Sequence, residues 1–415
     1  MKAVKFDYNM SKVLLRKLHL GSKLILVQYK DCWSEPEIKY PNQVIAQTIY
    51  GGICTSDLHQ IFLESSYYIS IMATKARYLT LGHELVAKIT KTGESVVGLE
   101  EGDRVTYNPI PHCETMGFKP CPSCQRGNYE HCYCLVGQGD GSDLEKQYND
   151  AGGFGGFLAG GFGERFWGFG KQFHKVPENV PSEVAVMSEP FAVAIHAVAR
   201  NPPKESDLVI VVGMGIIGLL TIAALRAFGH ANRIIALARY PFQAAWAKKL
   251  GADEVITERK PAVLYQKITD MTGARIFQPV LSKKVVFGNL GADIIYDCVN
   301  TEASLDDDIR LIQSSGKIVQ VGLGYVYTKK VDWSIPIYKE LDVVGSMMYG
   351  MQVIDGERVD PFELALKFFS KDPEQYNGLM THTFPIEEYK QAFECAEHKG
   401  KHEAIKVGFK YGEQG

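Results

Sequence analysis

The apolar residues of this chain change their spacing near its middle. Up to about residue 60, and again over 85–107, they fall in short alternating runs broken by turns. Examples are Lys23-Leu24-Ile25-Leu26-Val27-Gln28, Gln43-Val44-Ile45-Ala46-Gln47-Thr48-Ile49 and Leu85-Val86-Ala87-Lys88-Ile89. A period of two predicts β-strands with one buried face. After Val176-Pro177 the pattern becomes mixed. Residues 182–200 read as helical around Pro190, and Leu208-Val209-Ile210-Val211-Val212 is apolar throughout, as a strand buried on both faces of a parallel sheet must be. A glycine-rich turn follows, then an apolar helix over 216–228. Next come a strand at Arg233-Ile234-Ile235-Ala236-Leu237 and a helix over 242–250, with later strands at Ala292-Asp293-Ile294-Ile295-Tyr296-Asp297 and Lys317-Ile318-Val319-Gln320-Val321. Strands and helices in alternation predict an α/β fold with a doubly wound parallel sheet.

Three stretches break the periodicity. Residues 113–134 form a loop rich in Cys, Pro and Gly. Residues 137–163 are richer in glycine but interleaved with aromatics, which predicts a loop that packs near the mouth of a site. The segment 273–291 is longer than a simple helix-to-strand connection and predicts an insertion. Near the end, Phe384-Pro385-Ile386-Glu387-Glu388-Tyr389 opens a helix and Ala404-Ile405-Lys406-Val407-Gly408-Phe409 is a closing strand. The expected organisation is a first domain over 1–195, a nucleotide-binding domain over 196–348, and a return to the first domain over 349–415.

Composition narrows the class. The 415 residues are 46% hydrophobic and 22% charged, ordinary for soluble globular protein, and the length suggests at least two domains. A formal net charge of -3 provides no basic field for nucleic acid or an anionic membrane. No apolar run is long enough to span a bilayer, and the first residues lack the pattern of a signal peptide, so the cytoplasm is the expected location. Nine cysteines are too few for a disulfide scaffold, and their clustering points to metal.

The chemistry is concentrated in Gly51-Gly52-Ile53-Cys54-Thr55-Ser56-Asp57-Leu58-His59 and Gly82-His83-Glu84. Together they offer a thiolate, an imidazole and a carboxylate, all ligand types of zinc, beside a hydroxyl and a second imidazole suited to moving a proton. Alone, Cys54 would more often be a small buried residue and His59 a surface one. With His83, Glu84 and Glu189 they define a site. Cys113, Cys121, Cys124 and Cys132 are spaced C-x7-C-x2-C-x7-C, which predicts a closed, structural zinc site. Cys134 is an alternative to Cys132, and the first gap is long for a zinc loop. Reduced thiols without a metal are the competing reading.

Gly213-Met214-Gly215-Ile216-Ile217-Gly218 is GxGxxG between a buried strand and a helix, the context in which it cradles a pyrophosphate. The expected acidic ribose ligand is missing: Ala238 and Arg239 stand there. That favours NADP over NAD, with Arg239 on the 2′-phosphate.

The ordered set of these motifs, with Gly102-Asp103-Arg104-Val105, Ser188-Glu189-Pro190-Phe191, Lys339-Glu340-Leu341 and Val344-Gly345-Ser346, resembles the zinc-dependent medium-chain dehydrogenases. That group contains the alcohol, sorbitol and threonine dehydrogenases. The resemblance implies a β-rich GroES-like catalytic domain beside the Rossmann domain. It implies Cys54 and His83 as catalytic-zinc ligands, Glu84 as a carboxylate that ligates the metal or swaps with water, and Glu189 at the acidic ligand position of the polyol and threonine branch. It implies Ser56 at the substrate oxygen and His59 passing its proton to solvent. The nicotinamide would be held at the interdomain cleft. A homodimer or homotetramer is also implied. Departures from the family are the long first cysteine gap, the segment 64–78 with Tyr67 and Tyr68, and the enlarged stretch 137–163.

The expected function is hydride transfer between a secondary alcohol or polyol-like substrate, or the matching ketone, and NAD(P). A zinc-independent reductase of activated double bonds is an alternative, disfavoured by intact Cys54, His83 and Glu84. A non-catalytic nucleotide-binding redox sensor is another, disfavoured by Ser56 and His59. His196 is read as a packing or supporting residue, and Cys32, Cys298 and Cys395 as ordinary thiols.

Overall fold

The computed structural model describes residues 1–64, 78–136, 141–142, 160–258, 260–324 and 328–412. The chain divides into two compact units, Met1–Glu189 with Tyr349–Gly415, and Pro190–Met348. The division falls inside the helix Ser188–Arg200, a few residues before the expected boundary after 195.

In the first unit the strands run Met380–Phe384, Lys406–Lys410, Gln43–Gly52, Glu84–Thr92, Arg104–Tyr107 and Phe173–Lys175 across one sheet, and Arg165–Phe169 also pairs with Gln43–Gly52. Gln43–Gly52 is the hub. Its inward Val44 and Ala46 pack with Leu85, Ala87, Ile89, Val105 and Phe166 in one core. A three-stranded side sheet orders Val27–Lys30, Ala3–Asp7 and Tyr78–Thr80. A second core joins Phe6, Leu58, Ile61 and Phe62 to Phe162, Phe393 and Phe409. The C-terminal segment therefore completes the sheet and the core begun by the first residues.

The alternating apolar pattern expected up to residue 60 overlooks two helices. Met10–Lys17 forms because Asn9 caps it, its side chain accepting from the Ser11 and Lys12 amides. The helix buries no residue, although Met10, Val13 and Leu14 recur at helical spacing. Thr55–Phe62 forms where Asp57, at the third helical position, accepts from the Cys54 amide at 3.0 Å, and Leu63 ends it in a left-handed conformation at φ 55°. The strand expected from Lys23 begins at Val27. Tyr67, Tyr68 and residues 143–159 of the glycine-rich stretch lie outside the described residues.

The second unit is a parallel sheet ordered Glu254–Ile256, Ile234–Leu237, Val209–Val212, Ala292–Asp297, Ile312–Gln320 and Asp342–Gly345. In order of occurrence along the unit that is 3-2-1-4-5-6, the doubly wound dinucleotide-binding topology. The insertion expected at 273–291 is an antiparallel hairpin, Arg275–Phe277 with Val285–Phe287. Among the described residues no helix is long and apolar enough to cross a membrane.

Candidate functional site

Cys54 stands at the N-cap of Thr55–Phe62, where the partial positive charge of the helix end favours an anion. His83 and Glu84 enter the strand Glu84–Thr92, whose first residue pairs with Gly52. Both stretches press against the segment after 159. The Gly160 and Gly161 amides donate to the Gly82 carbonyl at 3.1 and 2.7 Å, and a Cβ on Gly51 would stand 1.9 Å from the Gly161 carbonyl oxygen. This close backbone packing brings the two motifs together. One ligand atom each of Cys54, His83 and Glu84 lie within 4.8 Å of one another. A soft thiolate, an imidazole and a carboxylate that converge while largely buried form a donor set that fits zinc. Three protein donors leave room for an exchangeable fourth position.

Glu189 is placed differently. It is buried and electrostatically coupled to His83, Glu84 and Lys406, but it is not among the three that converge. Burial pushes its carboxyl up to about 7 and Glu84 adds to the rise, while His83, Lys406 and Tyr349 pull the other way. Tyr349 is itself buried beside it.

Two residues not singled out for a role belong to this site. Asp57 faces His83 Nδ1 at 3.4 Å. Burial opposes a proton on His83, but Asp57 and then Cys54 outweigh it and hold the imidazole well above the usual histidine range. Lys406, on the closing strand, is fully buried and ion-paired with Glu84. Burial opposes its charge, yet Glu84 and Cys54 raise its pKa above the ordinary lysine value. The Asp57 carboxylate within the motif was a legible signal. Nothing local marks Lys406, because only the fold brings it to Glu84.

Ser56 and His59 are half-buried on the same helix as Cys54, three positions apart and so on neighbouring positions of one face. His59 Nδ1 lies 3.4 Å from Glu64 Oε2. His196 is buried in the second unit.

The four cysteines also converge: the sulfurs of Cys113, Cys121, Cys124 and Cys132 lie within 4.8 Å of one another. The long first gap is taken up by a short helix, Cys113–Met116, ended by Gly117 at φ 77°. Cys113 Sγ is 3.6 Å from Cys132 Sγ and 3.9 Å from Cys134 Sγ, so a fifth buried thiol adjoins the set. The Cys124 and Cys134 thiols draw Cys132 down to about 2, whereas burial lifts Cys113 to about 11. Four crowded thiols with one held as thiolate fit a closed structural zinc site.

In the second unit, Gly213 turns the chain at φ 86° after Val209–Val212. Gly215 caps the helix Ile216–Ala227 with open space where a Cβ would be, the condition for a phosphate to approach the backbone. A Cβ on Gly218 would stand 2.0 Å from the Gly213 carbonyl oxygen, so helix and strand meet closely there. Ile216 is buried beneath the turn, and Ile217 follows it in the helix. Ala238 is buried and Arg239 exposed just past Ile234–Leu237, the strand paired with Val209–Val212. Glycine turn and arginine thus share the carboxyl edge of the sheet, where doubly wound folds bind dinucleotides.

The comparisons with known proteins agree with this arrangement. Residues 40–178 match the alcohol dehydrogenase GroES-like domain, and residues 217–370 match the zinc-binding dehydrogenase family. A sorbitol dehydrogenase of Halalkalibacterium halodurans is 27% identical over 368 residues, 88% of this chain and 91% of that protein. A probable D-xylulose reductase A of Aspergillus fumigatus is 29% identical over 363 residues, 86% of this chain and 87% of the relative. Galactitol-1-phosphate dehydrogenase from Escherichia coli shares the fold at a TM-score of 0.71 and 22% identity, covering 99% of this chain and 100% of that one. The chain belongs to the zinc-dependent medium-chain dehydrogenase family, whose members use zinc and a nicotinamide cofactor.

Proposed function

We propose that this protein is a zinc-dependent oxidoreductase that moves hydride between a secondary alcohol or polyol, or the matching ketone, and NAD(P). The observation that carries the reading is the convergence of Cys54, His83 and Glu84 within 4.8 Å, beside Ser56 and His59 on one helix. The names of the relatives, sorbitol dehydrogenase and D-xylulose reductase, support a polyol-type substrate. Cys54, His83 and Glu84 would hold the catalytic zinc, with Glu189 as a nearby third anion. Cys113, Cys121, Cys124 and Cys132 would hold a second, structural zinc. The catalytic zinc, when bound, supplies a Lewis acid that polarises the substrate oxygen. The nicotinamide supplies the hydride acceptor or donor.

The chain's own residues do the rest. Ser56 would take the substrate hydroxyl proton as it gives up its own, and His59, three positions along the same helix, would pass a proton on to water. Gly213, Gly215 and Gly218 with the helix end at Ile216 and Ile217 would seat the pyrophosphate. Ala238 and Arg239 favour NADP, because no carboxylate repels a 2′-phosphate and the guanidinium attracts it. We place the protein in the cytoplasm as a homodimer or homotetramer built through the nucleotide-binding unit.

The test is turnover of a panel of polyols, secondary alcohols and ketones with each cofactor, followed by nicotinamide absorbance. The expected result is turnover of at least one polyol, and a greater loss of NADP than of NAD affinity in Arg239→Ala. No turnover with full zinc and tight cofactor binding would favour a non-catalytic nucleotide sensor. Equal losses in Arg239→Ala would remove the NADP preference.

A further inference from the structure

We propose that Lys406 is a positioning residue of the metal site: it holds Glu84 across Gly52 and so sets how much of that carboxylate a metal receives. The inference rests on the catalytic-metal reading above and adds the residue that governs one of its ligands.

The geometry begins with three neighbouring strands. Gln43–Gly52 lies between Lys406–Lys410 and Glu84–Thr92, and Gly52 is in register with Gly408 on one side and Glu84 on the other. Glu84 and Lys406 come from strands that do not touch each other, so their side chains meet only by crossing the middle strand. They cross at Gly52. A Cβ there would stand 2.3 Å from Glu84 Oε2 and 2.9 Å from Lys406 Cε. A side chain at this position would force the two paired groups to shift, so a glycine lets them meet as they do.

The pair is also closed to water, since both side chains are 1% exposed. Lys406 Nζ donates to the Ile53 carbonyl at 3.1 Å, which fixes the ammonium beside the residue preceding Cys54. An ammonium so placed competes with a metal for Glu84. Without Lys406, Glu84 would have only the metal to pair with. Lys399, half-buried, is the other lysine whose charge reaches Cys54, Glu84 and Lys406, and it makes no ion pair with Glu84 among the described residues. It serves as the control for a charge effect that does not pass through Glu84.

The test uses the full chain loaded with cobalt(II) in place of zinc, read by the visible ligand-field spectrum and by the rate of cobalt transfer to a chelator. In Lys406→Met we expect the non-cysteine-cluster cobalt to leave roughly tenfold more slowly, a change at the lower end of the size outer-shell substitutions produce but of opposite sign, because Lys406 competes with the metal for Glu84. Its spectrum should change as Glu84 turns wholly to the metal. Lys406→Arg, which keeps the charge, should restore wild-type release and spectrum, and Lys399→Met should leave both unchanged. In a Glu84→Gln background, Lys406→Met should have no effect on release.

Unchanged release and spectrum in Lys406→Met, with two cobalt ions still bound, would overturn the proposal while sparing the metal site. The same slowing in the Glu84→Gln background, or with Lys399→Met, would also overturn it. If Lys406→Met does not fold, the comparison of Lys406→Met/Glu84→Gln with Glu84→Gln alone decides, since the double variant removes both buried charges. Equal release supports the proposal, and a tenfold difference sinks it. A wild-type protein that binds one cobalt, in the thiolate cluster only, would instead remove the reading on which the proposal stands.

Discussion

Asp57 connects the two halves of the metal-binding motif through both of its oxygens. Oδ2 accepts the Cys54 amide at 3.0 Å, and Oδ1 takes the Gly82 amide at 3.3 Å while facing His83 Nδ1 at 3.4 Å. A carboxylate on Nδ1 fixes the ring orientation, makes Nε2 the nitrogen for a metal and raises its basicity. Asp57→Asn keeps the shape and loses the charge. It should weaken metal binding at the Cys54 site by about 10–100-fold, measured by chelator competition, while the four-cysteine site keeps its zinc. Equal zinc retention at both sites would deny Asp57 this role. The motif itself was plain in the sequence, but the division of labour inside it was not. An aspartate in the first turn of a helix reads as a cap, and it is one; only the position of His83 shows its second duty. Lys406 is the stronger case. It reads as one residue in a strand, and its meaning depends on a partner more than three hundred positions away.

The elements follow the same logic of local signal and distant cause. The parallel strands and the helix Ile216–Ala227 were legible because burial on every side leaves a continuous apolar run. Met10–Lys17 was not, although Asn9 caps it and Met10, Val13 and Leu14 fall at i, i+3 and i+4, because two turns are hard to separate from the short apolar runs on either side. The extra segment at 273–291 could be recognised by length, whereas its hairpin form could not, because its strands are three residues each and carry an exposed tip at Val280 and Leu281. One element end makes a testable claim. The helix Glu302–Leu311 finishes with its carbonyls directed at the buried Lys339, whose Nζ donates to Ile309 at 2.9 Å, Arg310 at 3.4 Å and also to Ile312. Lysine at a helix C-terminus satisfies orphan acceptors and complements the dipole. Lys339→Met keeps the length of the side chain and leaves those carbonyls without their donor. The expected cost is about 1–3 kcal/mol in urea unfolding, the range for buried acceptors left without a partner, with zinc content unchanged. A loss under half a kilocalorie, roughly the scatter of surface substitutions, would mean water replaces the lysine there.

At the scale of the molecule, the first unit is built from both ends of the chain, and this gives its last residues unusual weight. Lys406–Lys410 lies inside the sheet, between Met380–Phe384 and Gln43–Gly52. Ala404, Ile405, Val407, Phe409 and Tyr411 are all buried, and Val407, Phe409 and Tyr411 share a core with Phe6 and Leu58. Burying a large apolar side chain contributes roughly 1.5–3 kcal/mol, so three of them rival the about 5–15 kcal/mol by which a domain is stable at all. Truncation after Glu403 also strips both neighbouring strands of a partner and takes away Lys406. The second unit has its own six-stranded sheet and a separate core around Ile210, Ile295 and Ile318. The truncated protein should therefore lose both zinc ions and expose residues 1–189 to limited proteolysis, while a fragment spanning the nucleotide-binding unit stays resistant and still enhances the fluorescence of the reduced nicotinamide. A truncated chain that keeps two zinc ions and a protected N-terminal half would show that the closing strand is an accessory edge. Uniform digestion of both halves would show that the nucleotide-binding unit depends on the first for its own stability.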